Sequence, residues 1–270
     1  DGHLFLGGAL AAGAAGLLIE RGRALPGGVT PGLPVIAVDD TTRSLGALAT
    51  GHRRGFEWPF VAITGSNGKT TAKEMCASIL SQSGPCLKNR GNLNNDIGVP
   101  LTLLRLRDEP YAVIEMGANH AGEIDYLTRI ARPDVALLNN AGRAHLEGFG
   151  SLEGVARAKA EIINGLGEDG VFVFNADDVF APLWRELAAE HRMLNFGVHQ
   201  AADIHSDEST AQLVWDAQGF AMRFAVHTPA GDFDARLALA GEHNRLNALA
   251  AAAAAIALDM PVADIAEGLA

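Results

Sequence analysis

From residue 58 onward, short apolar runs alternate with longer stretches whose apolar residues recur at helical spacing. Strands are expected at 60–64, 111–116, 134–139 and 171–174, with helices at 69–82, 121–131, 151–165 and 178–190. Runs such as Phe60-Val-Ala-Ile-Thr64 and Tyr111-Ala-Val-Ile-Glu115 are apolar at consecutive positions, as in strands covered on both faces. The alternation predicts an α/β fold, a mostly parallel sheet flanked by helices. Between residues 203 and 239 the pattern changes to runs at 213–215, 219–226 and 233–239, which read as a small antiparallel β element. An alanine-rich helix is expected from 241 to 258.

Upstream, residues 6–15 and 42–53 read as helices and 16–20 and 35–38 as strands, separated by Pro26, Pro31 and Pro34. A boundary near Gly55 divides the chain into residues 1–55, the remnant of an N-terminal α/β domain, and a central domain over 56–270. The apolar run at 5–19 is short for a span, dominated by Gly and Ala, and preceded by no basic segment, so no membrane insertion is expected. A content of 48% hydrophobic and 20% charged residues is that of an ordinary globular protein. The net charge of -11 argues against a nucleic-acid partner, so any polyanion must be met locally. Cys76 and Cys86 show neither a disulfide framework nor zinc spacing, and a cytoplasmic location fits.

The local place for a polyanion is Val61-Ala-Ile-Thr-Gly-Ser-Asn-Gly-Lys-Thr-Thr71, where an apolar run breaks into a glycine-rich turn before a helix. Gly65 and Gly68 let the backbone curl its N–H groups inward around Ser66 and Asn67, and the helix starting at Lys69, Thr70 and Thr71 adds its positive end. Lys69 would meet the β- and γ-phosphates, and the Thr70 hydroxyl could ligate Mg²⁺. The general Walker spacing fails here: only Ser66 and Asn67 separate the glycines, and Ile63 stands where the first glycine should be.

Further candidates stand beside ordinary alternatives. Glu115 ends a strand on what should be the loop's edge of the sheet and could hold a metal, or be a solvated carboxylate. His145, one of nine histidines, follows the strand at 134–139 and could be a metal ligand, a proton carrier or structural. Lys159 reads by default as a solvated helix lysine. Asn244 and Asn247, three apart at a helix start, can point to one ligand or simply cap. Asn92, Asn94, Asn95 and Asp96 form an amide-rich cluster denser than a single turn needs.

Taken together, Thr64-Gly-Ser-Asn-Gly-Lys-Thr-Thr71, Gly91-Asn-Leu-Asn-Asn-Asp-Ile-Gly-Val-Pro100, Ile114-Glu-Met-Gly-Ala-Asn-His120, His145-Leu-Glu-Gly-Phe-Gly-Ser151 and Gly241-Glu-His-Asn-Arg-Leu-Asn247 resemble the Mur ligases. The second, third and fourth motifs resemble the members that join D-alanyl-D-alanine to UDP-N-acetylmuramoyl-tripeptide in peptidoglycan synthesis. The alternatives are a sibling or folylpolyglutamate-type ligase that adds a single amino acid, and an ATP-binding module without ligation.

The resemblance implies that ATP phosphorylates the peptide carboxylate and the incoming amine attacks the acyl phosphate. It implies nucleotide contacts from residues 65–71, Asn244 and Asn247, and muramoyl-peptide contacts from Asn92, Asn94, Asn95, Asn119 and His120. It further implies one Mg²⁺ at Thr70 and Glu115, and a second held by His145 and a carbamylated Lys159, with Lys69, His145 and Lys159 serving catalysis. Family members carry three domains, so a chain lacking most of the first and all of the third is expected to be inactive alone. A monomer is expected.

Overall fold

A computed structural model describes residues 2–25, 32–143, 146–217 and 219–270. The strands are β1 (Leu17–Glu20), β2 (Val35–Val38), β3 (Phe60–Thr64), β4 (Cys86–Lys88), β5 (Tyr111–Glu115), β6 (Val135–Leu138), β7 (Val171–Asn175), β8 (Arg192–Gly197), β9 (Ile204–His205), β10 (Gln212–Asp216), β11 (Gly219–Val226) and β12 (Phe233–Leu237). The α-helices are α1 (Leu6–Ala11), α2 (Thr41–Arg53), α3 (Lys69–Leu80), α4 (Gly98–Leu103), α5 (Glu123–Ala131), α6 (Leu146–Phe149), α7 (Leu152–Ala160), α8 (Ala181–Leu187), α9 (Glu242–Ala257) and α10 (Val262–Leu269).

Seven strands form an all-parallel sheet in the order β4-β5-β3-β6-β7-β8-β9. From β3 the chain winds out to β4 and β5 on one side, then crosses to β6 and winds through β9 on the other. The reversal opens a crevice at the carboxyl end of β3, where such sheets bind ligands. Consecutive apolar residues serve both faces. Val61, Ile63, Val113, Val135, Leu137, Val171 and Val173 join one core with α3, α9 and α10, while Phe60, Ala62, Ala112, Ile114, Ala136, Leu138, Phe172 and Phe174 join a second core beneath α5, α7 and α8. Residues 248–255 of α9 are all buried, and the seven alanines among them let this helix lie close against α3 and the sheet.

The β10-β11-β12 sheet is antiparallel and packs Met222, Phe224, Val226, Ala235 and Leu237 into the first core. Helix α2 is capped by the Asp40 side chain, which accepts from Thr42 N and Arg43 N. It packs on α4 and α5, and Arg53 near its end donates to the carbonyls of Phe56, Ala131 and Arg132.

The pattern missed β4, β8 and β9. The first is only three residues long and the last two, while β8 is half exposed and carries Arg192 and Asn195. Residues 204–205, on the far side of the expected change of character, pair with β8 in the large sheet. The helix expected over 151–165 ends at Ala160 and tightens into a 3₁₀ turn, Glu161–Gly165, and the one expected over 178–190 is confined to α8. No helix among the described residues is long and apolar enough to cross a membrane.

Candidate functional site

The turn after β3 is shaped by two glycines and splinted from outside. Gly65 has φ 152° and Gly68 φ 75°, the latter capping α3. A Cβ on Gly68 would stand 2.3 Å from Asn247 Oδ1 and 2.7 Å from Asn139 Nδ2. Two asparagines following β6 hold the loop. Asn139 Nδ2 donates to Asn67 O and to Asn247 Oδ1, both at 2.9 Å. Asn140 O accepts from Ser66 N at 3.0 Å, its Oδ1 from Asn67 N at 2.9 Å, and its Nδ2 donates to Asn67 O at 3.0 Å. Ser66 Oγ accepts from Gly142 N at 2.8 Å. The Lys69 ammonium folds back onto Gly65 O and Ser66 O at 2.8 and 3.1 Å. Burial lowers its pKa, opposed by the nearby Glu115.

Beside the loop, Thr70 Oγ1 donates to Glu115 Oε2 at 2.9 Å, joining the first turn of α3 to the end of β5. Asn94 Nδ2 donates to Glu115 Oε1 at 2.8 Å. Glu115 is 2% exposed, so it is no solvated strand-end carboxylate. Its backbone is fixed by buried Asn89, whose Oδ1 accepts from Glu115 N at 2.6 Å and whose Nδ2 donates to Glu115 O at 3.1 Å. Lys73, 1% exposed, places Nζ 3.7 Å from Glu115 Oε2, 3.2 Å from Glu74 Oε1 and 3.2 Å from Asn89 O. Burial alone would raise the Glu74 carboxyl, but hydrogen bonds from Lys88 and Lys73 outweigh it and hold the pKa low.

Lys159, expected by default in solvent, is 2% exposed, with Nζ 5.5 Å from the Phe149 ring centroid. Burial, then the charge of Lys69, push its pKa down to about 8, against the pull of Glu123 and Glu161. Its ammonium has no hydrogen bond or ion pair among the described residues. His145 lies outside the described residues.

The remaining candidates divide. Asn247 is buried against the loop, whereas Asn244 Nδ2 turns back to Ala240 O at 2.8 Å, so the two amides do not converge. Of the amide cluster, Asn94 reaches Glu115 while Asn95 Oδ1 accepts from Gly98 N at 2.8 Å and starts α4. Asn92 is exposed and offers its carbonyl to Asn94 N. Thr71, half-buried, makes no side-chain hydrogen bond among the described residues. Asn119 N donates to Glu123 Oε2 at 2.7 Å, and His120 Nδ1 lies 3.0 Å from Glu123 Oε1. Asn95 and Asn119 line a cavity of about 410 Å³ with Arg43, Gly117, Glu123 and Tyr126, between α2 and the central body.

Sequence reasoning passed over Lys73, Asn89, Asn139 and Asn140. A signal for Lys73 was present: three and four residues after Thr70 and Lys69, it shares their helix face. The asparagines act only through tertiary contacts.

A model of the Mur ligase middle domain matches residues 63–255. The chain belongs to the Mur ligase family. The chain is 45% identical over its whole length to the UDP-N-acetylmuramoyl-tripeptide--D-alanyl-D-alanine ligase of Escherichia coli K12 and covers 58% of that protein. It is 36% identical to the enzyme of the same name from Bacillus subtilis 168, covering 56% of it. A crystal structure of MurF from Acinetobacter baumannii superposes with a TM-score of 0.89 at 42% identity, covering all of this chain and 57% of that one. MurF ligase from Thermotoga maritima, solved in complex with ADP, gives 0.83 at 29% identity, over 98% of this chain and 60% of that one. The chain thus spans a little more than half the length of the relatives it matches.

In this Mur ligase chain the oxygens beside the loop fit magnesium. A hydroxyl and a carboxylate are hard donors, and a site with few protein ligands suits an ion that keeps water and phosphate in its shell. Among the described residues no three His, Cys, Asp or Glu gather into a metal site of their own.

Proposed function

We propose that this chain is the ATP-binding core of a ligase that joins D-alanyl-D-alanine to UDP-N-acetylmuramoyl-tripeptide. The observation that carries it is the Thr70–Glu115 hydrogen bond beside a glycine loop splinted by Asn139 and Asn140, in a chain whose relatives bear that name. The loop N–H groups and Lys69 would take the β- and γ-phosphates once Lys69 leaves its carbonyl partners. Thr70 and Glu115 would hold Mg²⁺, which supplies charge neutralisation of the phosphates. Asn244 and Asn247 are assigned to the nucleotide, and Asn92, Asn94, Asn95, Asn119 and His120 to the muramoyl peptide. For the last group the support is the cavity that Asn95 and Asn119 share with Arg43.

The reaction follows from charge placement. An oxygen of the tripeptide's terminal carboxylate attacks the γ-phosphorus and ADP leaves. The dipeptide amine then attacks the acyl carbon, phosphate leaves, and the nitrogen loses a proton. Lys69, held at the loop by its carbonyl partners, would stabilise the charge spread over the transferring phosphoryl group. Lys159 is the proposed site of carbamylation: a buried amine whose pKa is about 8 is partly neutral near physiological pH, and the neutral amine is the form that adds to CO₂. The product, with His145, is assigned a second magnesium. We also infer a cytoplasmic monomer.

The test is ATP-dependent phosphate release by a protein carrying this chain at the full length of its relatives, supplied with UDP-muramoyl-tripeptide. Release that requires D-alanyl-D-alanine is the expected result. Release with a single amino acid would move the protein to a sibling activity, and nucleotide binding without release would make it a binding module.

A further inference from the structure

Lys73 has no part in the proposed reaction, yet it is as deeply buried as Glu115. An ammonium at that depth is strongly disfavoured unless a carboxylate answers it. The equally buried carboxylate is Glu115, and the oxygen Lys73 addresses, Oε2, is the one that accepts from Thr70. The other oxygen is tied to Asn94. On the far side, Lys73 Nζ stands 3.2 Å from Glu74 Oε1, and Glu74 is itself bridged to Lys88. Charges thus alternate in sign from the surface to the site: Lys88, Glu74, Lys73, Glu115.

We propose that Lys73 is the resident counter-ion of Glu115, a positioning residue that bars a bare divalent cation and lets the metal enter only with a polyphosphate. This rests on the reading of Thr70 and Glu115 as the magnesium donors. A divalent ion arriving alone meets one carboxylate and the ammonium groups of Lys69 and Lys73. A metal chelated by a nucleotide arrives as a net anion, which the same ammonium groups attract. Glu74 gives Lys73 a second carboxylate to lean on when the metal takes Glu115, so its charge keeps a partner in both states.

The experiment measures Mn²⁺ binding to the intact chain by the paramagnetic resonance of the free ion, without nucleotide and with saturating ADP. Without nucleotide, wild type and Lys73→Arg are expected to bind weakly and alike, and Lys73→Met to bind at least about tenfold tighter, since only the charge opposing the ion differs. Equal affinities in wild type and a folded Lys73→Met overturn the proposal. Should Lys73→Met fail to fold, Glu74→Gln at a half-exposed position reads the same couple. With its second partner gone Lys73 stays on Glu115, and Mn²⁺ binding with ADP should weaken at least about threefold. An unchanged value overturns the proposal. Absence of Mn²⁺ binding in wild type even with ADP overturns the metal assignment itself, and this inference with it.

Discussion

Gly68 meets two demands that no other residue meets together: a φ of 75° and no room for a Cβ beside Asn247 and Asn139. Gly68→Ala is expected to lose about 1–3 kcal/mol in urea denaturation from backbone strain alone, and to lose ADP binding by calorimetry because Asn247 must move. Lys159 makes a prediction with a definite sign. Its folded-state pKa of about 8 lies below a lysine's ordinary value of 10.5, so over that window the folded chain gives up a proton that the unfolded chain keeps. Stability is therefore full above the window and falls as pH drops through 8. In buffer purged of CO₂, Lys159→Met should be more stable than wild type at pH 7 by about 1–3 kcal/mol, and its stability should no longer change over that window. Lys69 and Thr70 were legible because a motif fixes their place in the turn, and Glu115 because it ends an apolar strand on the loop's edge of the sheet. The burial of Lys159 and Lys73 was not, since a lysine in a helical pattern carries no mark of which tertiary surface covers it.

At the scale of elements, the loop between β3 and α3 is not self-supporting. Asn139, just after β6, ties it to α9 through Asn67 O and Asn247 Oδ1. Asn139→Ala would leave Asn247 Oδ1 without that donor, at an expected loss of about 1–3 kcal/mol, and the loop amides should exchange faster with solvent in hydrogen-exchange measurements. Strands β3, β5, β6 and β7 were readable because burial on both faces demands unbroken apolar runs. The short edge strand β4 and the half-exposed β8 were not, because their pairing is set by neighbours rather than by their own pattern. The alanine-rich helix was legible as a helix; its close packing depends on what lies opposite.

For the whole molecule, the α/β class followed from alternation alone, while the position of the small antiparallel sheet did not. Its inner face fills the same core as α3, α9 and α10, with Phe224 2% exposed. Phe224→Ala should cost about 3–5 kcal/mol, and if the core is continuous the large and small sheets will melt in one calorimetric transition. The overall charge of -11 sets a background that repels anions, so Lys69 in the loop must act at short range and ADP binding should weaken only modestly with added salt.

The bond between Asn139 and Asn247 joins residues 108 positions apart, and β3 pairs only with strands that follow it by some fifty and seventy residues. A nascent chain leaving the ribosome therefore carries the loop between β3 and α3 for a long interval without its splints. Contacts so distant in sequence form late, so this loop should be among the last parts of the chain to take shape, and the nucleotide proposed to bind there would report on the completed fold.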